Sequence, residues 1–355
     1  MKVTCDMSVT SARHRPVGMS TPWFTPWNSP LSSAIPGLVL DFSDGSYGAG
    51  GTVGTLSSTL VLNRASDGSR TDATGAIQVV GPNIGRIEHD PTTLAPIGLL
   101  LEAERSNLFL QSASPADQTI AVTADPYVLS FYGTGTVTLA DAHVAVVPGT
   151  GAYPARTQVS FTPTAGNLTL TLSGSIVSPQ LELGAIASTY IPTLAAPVLR
   201  ADDIATVPLG AWFDTTEGTL VFDGSLDSAQ ANDRIIEIDA GGSTTRLSIL
   251  WNTVLGKPQF QVWEAGVLQA AIAPSGSSIA LGDPFRVAVT FKANEFGISM
   301  NGSAVVNDTS GTMATGLSTL RLGRSVSGAQ GLMLAESIVY YPQRLADAEI
   351  QALST

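Results

Sequence analysis

The stretch FRVAVTFKANEFGISMNGSAVV, residues 285–306, contains the local signals that decide the fold. Its runs 285–291 and 296–300 are rich in Val, Ile, Phe and Thr, which is typical of β-strands. The pair Asn301-Gly302 follows the second run and is a preferred two-residue hairpin turn, because both residues tolerate positive φ. The stretch therefore predicts antiparallel strands joined by tight turns.

The same pattern of short strands extends over most of the chain. Alternation of apolar and polar residues, as at Leu168, Leu170 and Leu172, is typical of half-buried strands. The 355 residues include 44% hydrophobic and 13% charged residues, 35 Gly and 21 Pro, which suits two packed cores with many turns. We therefore predict an all-β protein with two β-sandwich jelly rolls in tandem, at 38–207 and 208–355.

Residues 1–37 predict an extended Pro-rich arm before the sandwiches. Five prolines between positions 16 and 36 exclude a regular helix and disfavour ladder pairing. Trp23, Phe24 and Trp27 lie among these prolines and are candidate anchoring residues that fill pockets on a partner. The alternative is an arm that folds back on its own domain.

Charge and cysteine content exclude several classes of protein. The net charge of −12 and the pI of about 4.5 argue against nucleic-acid binding, which needs clustered Lys and Arg. Cys5 is the single cysteine, so no intrachain disulfide forms. No run approaches about 18 apolar residues and no apolar leader core begins the chain, which predicts cytoplasmic synthesis without a membrane span or signal peptide.

Two distant segments share motifs with one viral family. The segments are TLVLNRAS with RIEHDPTTLAPIGLLLEAERSNL, at 59–66 and 86–108, and QLELGAIASTYIPT with LRADD, at 180–193 and 199–203. They resemble the opening and closing motifs of a carbohydrate-binding jelly roll in the head spikes and tail fibres of bacteriophages and gene transfer agents. The chain departs from the family at 67–70, and its middle, 113–179, is shorter than usual.

The C-terminal half resembles a second family. The run 285–291, the pair Asn301-Gly302 and the segment YYPQRLADAEI at 340–350 are similar to the closing half of concanavalin-like (laminin G-type) jelly rolls. That resemblance implies a sandwich that ends in a strand followed by a short helix.

The first resemblance implies a non-enzymatic virion surface protein that attaches to host capsule or lipopolysaccharide. Its partners would be host polysaccharide and, through the arm, capsid or other virion proteins. A trimer or pentamer would multiply weak single-site binding. The alternatives are a structural spike base or adaptor that holds another receptor-binding protein, and a glycan depolymerase.

Several residues are weak candidates for glycan binding. In the second sandwich they are Trp251, Asn252, Gln261 and Trp263. Alternation places Gln261 and Trp263 on one strand face and Phe260 on the other. The alternative is that Trp251 and Trp263 pack the core. In the first sandwich the candidates are Arg86, His89 and Asp90.

The charged residues of the first sandwich have a second interpretation. Arg64, Arg86, Glu102, Glu104 and Arg105 lie close in a charge-poor chain, and such groups can form Arg–carboxylate pairs that join strand ends. We favour this structural role.

Catalysis and metal binding have little support in the sequence. None of the three histidines belongs to a catalytic motif. Glu237 and Asp239 alternate onto one strand face, the spacing closest to a glycosidase pair, but a solvated acidic face is the simpler interpretation. No metal site or cofactor is predicted. Ca²⁺ has only weak candidates, at 223–228 and 232–239.

Overall fold

The structure is a computed structural model that describes residues 34–228, 230, 232–328 and 330–355. Strands make up 49% and helices 3% of it, arranged in several sheets, which confirms the prediction of an all-β protein built from sandwiches. The candidate anchoring residues Trp23, Phe24 and Trp27 lie outside the described residues. No helix in the described ranges is long and apolar enough to cross a bilayer.

The elements fall into three groups along the chain. The first group is β1 (Leu38–Asp41), β2 (Ser46–Ala49), β3 (Thr52–Gly54), α1 (Leu56–Thr59), β4 (Val61–Asn63), β5 (Gly68–Thr71), β6 (Ile77–Val80), β7 (Ile87–His89) and β8 (Pro96–Leu101). The second is β9 (Arg105–Asn107), β10 (Gln118–Val122), β11 (Tyr127–Tyr132), β12 (Thr136–Asp141), β13 (Ala145–Pro148), β14 (Thr157–Phe161), β15 (Gly166–Ser173), β16 (Val177–Leu183) and β17 (Val198–Arg200). The third is β18 (Ile204–Pro208), β19 (Glu217–Ser228), β20 (Arg234–Asp239), β21 (Arg246–Asn252), β22 (Lys257–Glu264), β23 (Val267–Ile272), β24 (Phe285–Lys292), β25 (Phe296–Met300), β26 (Val306–Asp308), β27 (Thr319–Leu322), β28 (Leu332–Tyr341) and α2 (Asp347–Leu353).

The larger sandwich consists of a ten-stranded and a seven-stranded sheet. The first has the order β26-β25-β24-β19-β28-β1-β2-β3, with β8 pairing to β28 and β7 to β8. The second has the order β23-β22-β21-β20-β27-β18-β4. Their facing sides form one apolar core that includes Leu40, Phe222, Ile249, Phe260 and Ile338.

The smaller sandwich is built from the second group of strands. A four-stranded sheet, β10-β15-β12-β13, packs on a three-stranded sheet, β14-β11-β16. Leu129 and Phe131 from the three-stranded sheet and Val137, Leu139 and Leu170 from the other lie in a separate core. The short ladder of β9 with β17 lies where the chain enters and leaves this unit.

Strand pairing corrects the predicted domain boundaries at 38–207 and 208–355. β1 pairs with β28, β8 also pairs with β28, and β4 pairs with β18, so residues 38–101 belong to the larger sandwich together with 204–355. The smaller sandwich is therefore an insertion between β8 and β18. Alternation within a strand indicates which side is buried but not which distant strand lies beside it, and the prediction depended on alternation alone.

The two outer faces of the larger sandwich differ. On the ten-stranded sheet, helix α2 covers Val39, Val221, Ala288 and Val339 with Ile350 and Leu353. The turn at Asn301-Gly302 has positive φ at both residues and a hydrogen bond from Ser303 N to Met300 O, as predicted. It does not form a two-residue hairpin, because the next strand begins only at Val306, which pairs with Ile298. On the seven-stranded sheet, the outer face of β20, β21 and β22 presents polar side chains instead.

Candidate functional site

Two cross-strand rows of side chains lie on the outer face of the seven-stranded sheet, and together we call them the polar face. Strand register aligns Gln261, Ser248, Glu237 and Arg321 in the first row. The second row aligns Trp263, Arg246, Asp239 and Thr319. The alternate positions on the same strands, such as Leu247, Ile249 and Phe260, are buried in the core.

The two carboxylates of the polar face are held by arginines. Glu237 accepts a hydrogen bond from Arg234 Nε at 2.8 Å and another from the backbone N–H of Val326 at 2.7 Å. Asp239 accepts from Arg321 Nε at 2.5 Å and from Gly241 N at 2.8 Å. Both carboxylates are buried, so these bonds compensate the charges that the sheet removes from water.

An arginine stacked on a tryptophan is the central feature of the polar face. The Arg246 guanidinium carbon lies 4.7 Å from the centre of the Trp263 ring, within the range of a cation–π contact. Burial lowers the pKa of Arg246, and Arg234 lowers it further, while Glu237 opposes both. Trp263 stays partly exposed. The pair thus places a partly exposed apolar ring against a largely buried cation, because Arg246 is only 9% exposed.

Side-chain amides extend from Trp263 along β22. Trp263 Nε1 donates to Gln261 Oε1 at 2.9 Å, and Gln261 Nε2 donates to Gln259 Oε1 at 3.1 Å. Asn252 Nδ2 donates to the same Gln259 oxygen at 3.2 Å. The structure therefore brings three predicted glycan candidates, Asn252, Gln261 and Trp263, into one chain of hydrogen bonds.

Two buried polar atoms of this face have no hydrogen-bond partner among the described residues. They are Ser248 Oγ and Arg246 Nε. Ser248 is 2% exposed, whereas Arg246 Nε lies 3.7 Å from Glu237 and keeps an electrostatic partner. A buried hydroxyl without a partner costs about 1–3 kcal/mol.

The other predicted glycan candidates lie elsewhere. Trp251 is buried in the core, 6.5 Å from the ring of Phe285, which corrects the prediction that it contacts a glycan. His89 and Asp90 lie at the β7–β8 turn. There Asp90 accepts backbone hydrogen bonds from Thr93 at 2.6 Å and Thr92 at 2.8 Å, which lower its pKa.

Arg86 is likewise corrected, because it is fully buried at the junction of the two sandwiches. We call this group the junction cluster, and its members are Arg64, Arg86, Glu102, Arg200 and Asp203. Arg86 bonds both Glu102 and Asp203, and Arg64 Nη1 lies 2.9 Å from Asp203 Oδ1. The structural role predicted for Arg64, Arg86 and Glu102 is confirmed.

Arginine charge determines the ionisation of Glu102 in the junction cluster. Complete burial would raise its pKa, but Arg200 and Arg86 outweigh burial and, with bonds from Thr189, lower it to about 2. The neighbouring cavity has a volume of about 30 Å³ and is lined by Arg200, Gln330 and Ser188. A cavity of this size holds about one water molecule, so it is too small for a sugar.

Two candidate cation segments are engaged in ion pairs. Asp223 bonds Arg286, and Glu237 and Asp239 bond the arginines described above. Within the described ranges no three His, Cys, Asp or Glu residues are grouped so that they could hold a metal ion.

Sequence reasoning missed Arg246 and Ser248. In RLSILWN, at 246–252, alternation places both opposite the buried Leu247 and Ile249. That signal was present, but the register that puts Arg246 across from Trp263 and Ser248 across from Gln261 needs the paired strands.

Comparisons with solved structures find partial likenesses to sialidases and to a sialidase module. The CBM40 of Ruminococcus gnavus IT-sialidase matches with a TM-score of 0.35 and 14% identity, over 40% of this chain and 84% of that chain. NanB sialidase from Streptococcus pneumoniae matches with 0.33 and 14%, over 41% and 25%. Trypanosoma rangeli sialidase matches with 0.33 and 16%, over 42% and 25%.

The chain therefore spans about a quarter of the length of the two sialidases. Such low TM-scores and identities do not carry a function from those proteins to this chain. No family model and no curated protein matches the sequence.

Proposed function

We propose that the polar face binds carbohydrate without cleaving it. A sugar ring has an apolar C–H side that suits the flat ring of Trp263, and hydroxyl groups that both donate and accept hydrogen bonds. Arg246 and Gln261 lie beside that ring, and Gln259 and Asn252 continue the row of polar groups further along the sheet. A few convergent polar groups around an aromatic surface are typical of small-ligand sites.

The observation that supports this proposal most directly is the buried hydroxyl of Ser248. It lies in the polar face, with Glu237 and Gln261 as its cross-strand neighbours, and has no hydrogen-bond partner among the described residues. A sugar hydroxyl would supply the missing bond if the side chains that cover Ser248 Oγ moved aside on binding. The same ligand could stack on Trp263, one row away on the same sheet.

The carboxylates of this face favour binding over hydrolysis. Glycoside hydrolysis usually needs one protonated carboxylic acid and one free carboxylate on either side of the scissile bond. Glu237 is paired with Arg234 and Asp239 with Arg321, and both carboxylates are buried, so neither is free on the face to act on a scissile bond. We therefore propose a lectin-like role without catalysis.

The biological setting we propose is attachment of a virus-like particle to a bacterial surface, with the chain as a spike or fibre. Its support is the set of motifs at 86–108 and 180–193, which resemble those of phage spikes and fibres. In the structure these motifs supply Arg86, Glu102 and Thr189 to the junction cluster, where they maintain the link between the sandwiches.

Binding can be tested on an array of bacterial capsular polysaccharides and lipopolysaccharides. We expect the full-length protein to bind a subset of these glycans. Trp263→Ala and Arg246→Ala should each weaken binding by about tenfold or more, because burial of an aromatic side chain and a hydrogen bond to a charged group each contribute about 1.5–3 kcal/mol.

Arg70→Ala is the matched control for Arg246→Ala. Arg70 lies on the β5–β6 hairpin and bonds Gln78, outside the polar face. It should bind like the wild type. If the wild type bound no glycan, or if Arg70→Ala lost as much binding as Trp263→Ala, the polar face would not be the site. Release of reducing ends from a bound glycan would contradict the non-enzymatic part of the proposal.

A further inference from the structure

The smaller sandwich has an open groove between its two sheets. The groove has a volume of about 630 Å³ and lies between the edge strands β13 and β14. Val146, Pro148 and Val159 contribute apolar walls, and Arg156 lies at one end. The groove is therefore large and mostly apolar, unlike the polar face of the larger sandwich.

The strands on both sides of the groove are exposed edges. Among the described residues, β13 pairs only with β12 and β14 only with β11. Natural proteins usually protect such edges with charged residues, because an unpaired strand can pair with another chain. Neither β13, AVVP, nor β14, TQVSF, contains a charged residue, and Pro148, which also disfavours pairing, lies only at the end of β13.

Apolar side chains on this edge are open to solvent. Val146 of β13 is 68% exposed, and Val144, immediately before the strand, is 81% exposed. Two neighbouring valines beside an apolar groove form an apolar patch. Covering this patch lowers the free energy by about 25 cal/mol per Å² of apolar surface that is buried. These features indicate an interface but do not by themselves identify the partner.

The distribution of charge identifies the partner. The chain has 29 acidic residues and a net charge of −12, yet residues 142–181 contain no Asp, Glu or Lys and only one Arg, Arg156. Copies of a strongly acidic protein repel one another, so they approach most easily through a surface without acidic groups. An uncharged apolar edge on this chain is suited to a second copy of the same chain.

We propose that the edge formed by β13, β14 and Val144 is the surface through which copies of this chain associate. The exposed valines of one copy pack against the groove of the other, and the unpaired edges supply backbone hydrogen bonds. Such association would place several polar faces on one particle and raise the avidity for a repeated ligand. The proposal does not depend on glycan binding.

Sedimentation velocity of the full-length protein over a range of concentrations tests this surface. We expect the wild type to form a defined oligomer. Val146→Glu and Val144→Glu should each raise the dissociation constant of the oligomer by at least about tenfold, because each places a carboxylate in the apolar contact. Both side chains are exposed, so the fold should persist, and circular dichroism checks this.

Val254→Glu is the matched control. Val254 is 93% exposed in the larger sandwich, between β21 and β22, and the same substitution there should leave the oligomer intact. A wild type that stays monomeric at every concentration would overturn the proposal. So would a Val146→Glu variant that assembles as well as Val254→Glu.

Discussion

The junction cluster and the polar face use the same residue types in opposite ways. In the junction cluster, Arg86 bonds two carboxylates, and its members are closed off from solvent. In the polar face, Arg246 lies at 3.7 Å from Glu237 and stacks on a partly exposed Trp263. Arginine–carboxylate pairs therefore have a structural role at the junction, whereas on the polar face they leave an aromatic ring partly exposed and a buried hydroxyl without a hydrogen-bond partner among the described residues.

The largest effect should come from Arg86→Met. This change leaves Glu102 and Asp203 with one fewer buried partner, and breaking a buried pair on one side costs about 3–5 kcal/mol. Urea denaturation should show a lower free energy of unfolding by that amount, or no folded protein.

Arg105→Met is the control for that substitution. Arg105 lies close to the junction cluster in sequence, but among the described residues its side chain donates only to the backbone oxygen of Glu104. Its loss should change the free energy of unfolding by less than about 1 kcal/mol. Equal effects of the two substitutions would contradict the prediction that the ion pairs of the junction cluster stabilise the fold.

Acid should weaken the junction cluster over a defined pH range. Glu102 has a pKa of about 2 in the folded protein, below its ordinary value of 4.5. A depressed pKa stabilises the fold above pH 4.5, and this contribution is lost as pH falls from 4.5 towards 2. At neutral pH the shift corresponds to about 3 kcal/mol.

Glu102→Gln isolates this contribution. The difference in free energy of unfolding between wild type and variant should be largest at neutral pH and should shrink as pH falls below 4.5. A difference that stays constant between pH 7 and pH 3 would mean that the ionised form of Glu102 does not stabilise the junction.

The sequence predicted the local features of the fold better than its long-range pairing. The tight turn at Asn301-Gly302 and the opposite faces of Phe260 and Trp263 depend on neighbouring residues, and both are found, although the turn does not join its strands as a two-residue hairpin. The pairing of β1 with β28 joins strands about 300 residues apart, and no local pattern specifies it. The boundary at 207/208 was therefore wrong although most strands were recognised.

The candidate site was predicted in part for a similar reason. Gln261 and Trp263 share a face by alternation, so this part of the polar face could be predicted from the sequence of β22 alone. Trp251 follows the buried Leu247 and Ile249 at the same two-residue spacing, so alternation along β21 already favoured the core, where its ring lies beside Phe285. Asp203 was not singled out, because its partners Arg64 and Arg86 are more than 100 residues away.

A smaller effect is expected from Arg246→Gln, the counterpart of Arg86→Met on the polar face. Glu237 keeps its bonds to Arg234 and Val326 N, so its charge remains compensated. The loss should be about 1–2 kcal/mol, because the variant lacks both the cation–π contact with Trp263 and the hydrogen bond from Arg246 Nη1 to Ser243 O. Urea denaturation measures it, and a loss as large as that of Arg86→Met would contradict the distinction between the two regions.

The smallest effect on stability should come from Ser248→Ala, and its sign is informative. Ser248 Oγ has no partner among the described residues, so its removal takes away a buried polar group at no cost in hydrogen bonds. The free energy of unfolding should stay the same or rise by up to about 1 kcal/mol, whereas glycan binding should weaken.

Ser130→Ala is the control, because Ser130 is also buried but accepts a hydrogen bond from Arg156 Nη2 at 2.7 Å. The loss of this bond should destabilise the fold. If Ser248→Ala destabilised the protein as much as Ser130→Ala does, the hydroxyl would have a structural partner and the polar face would lose its strongest sign of an open binding site.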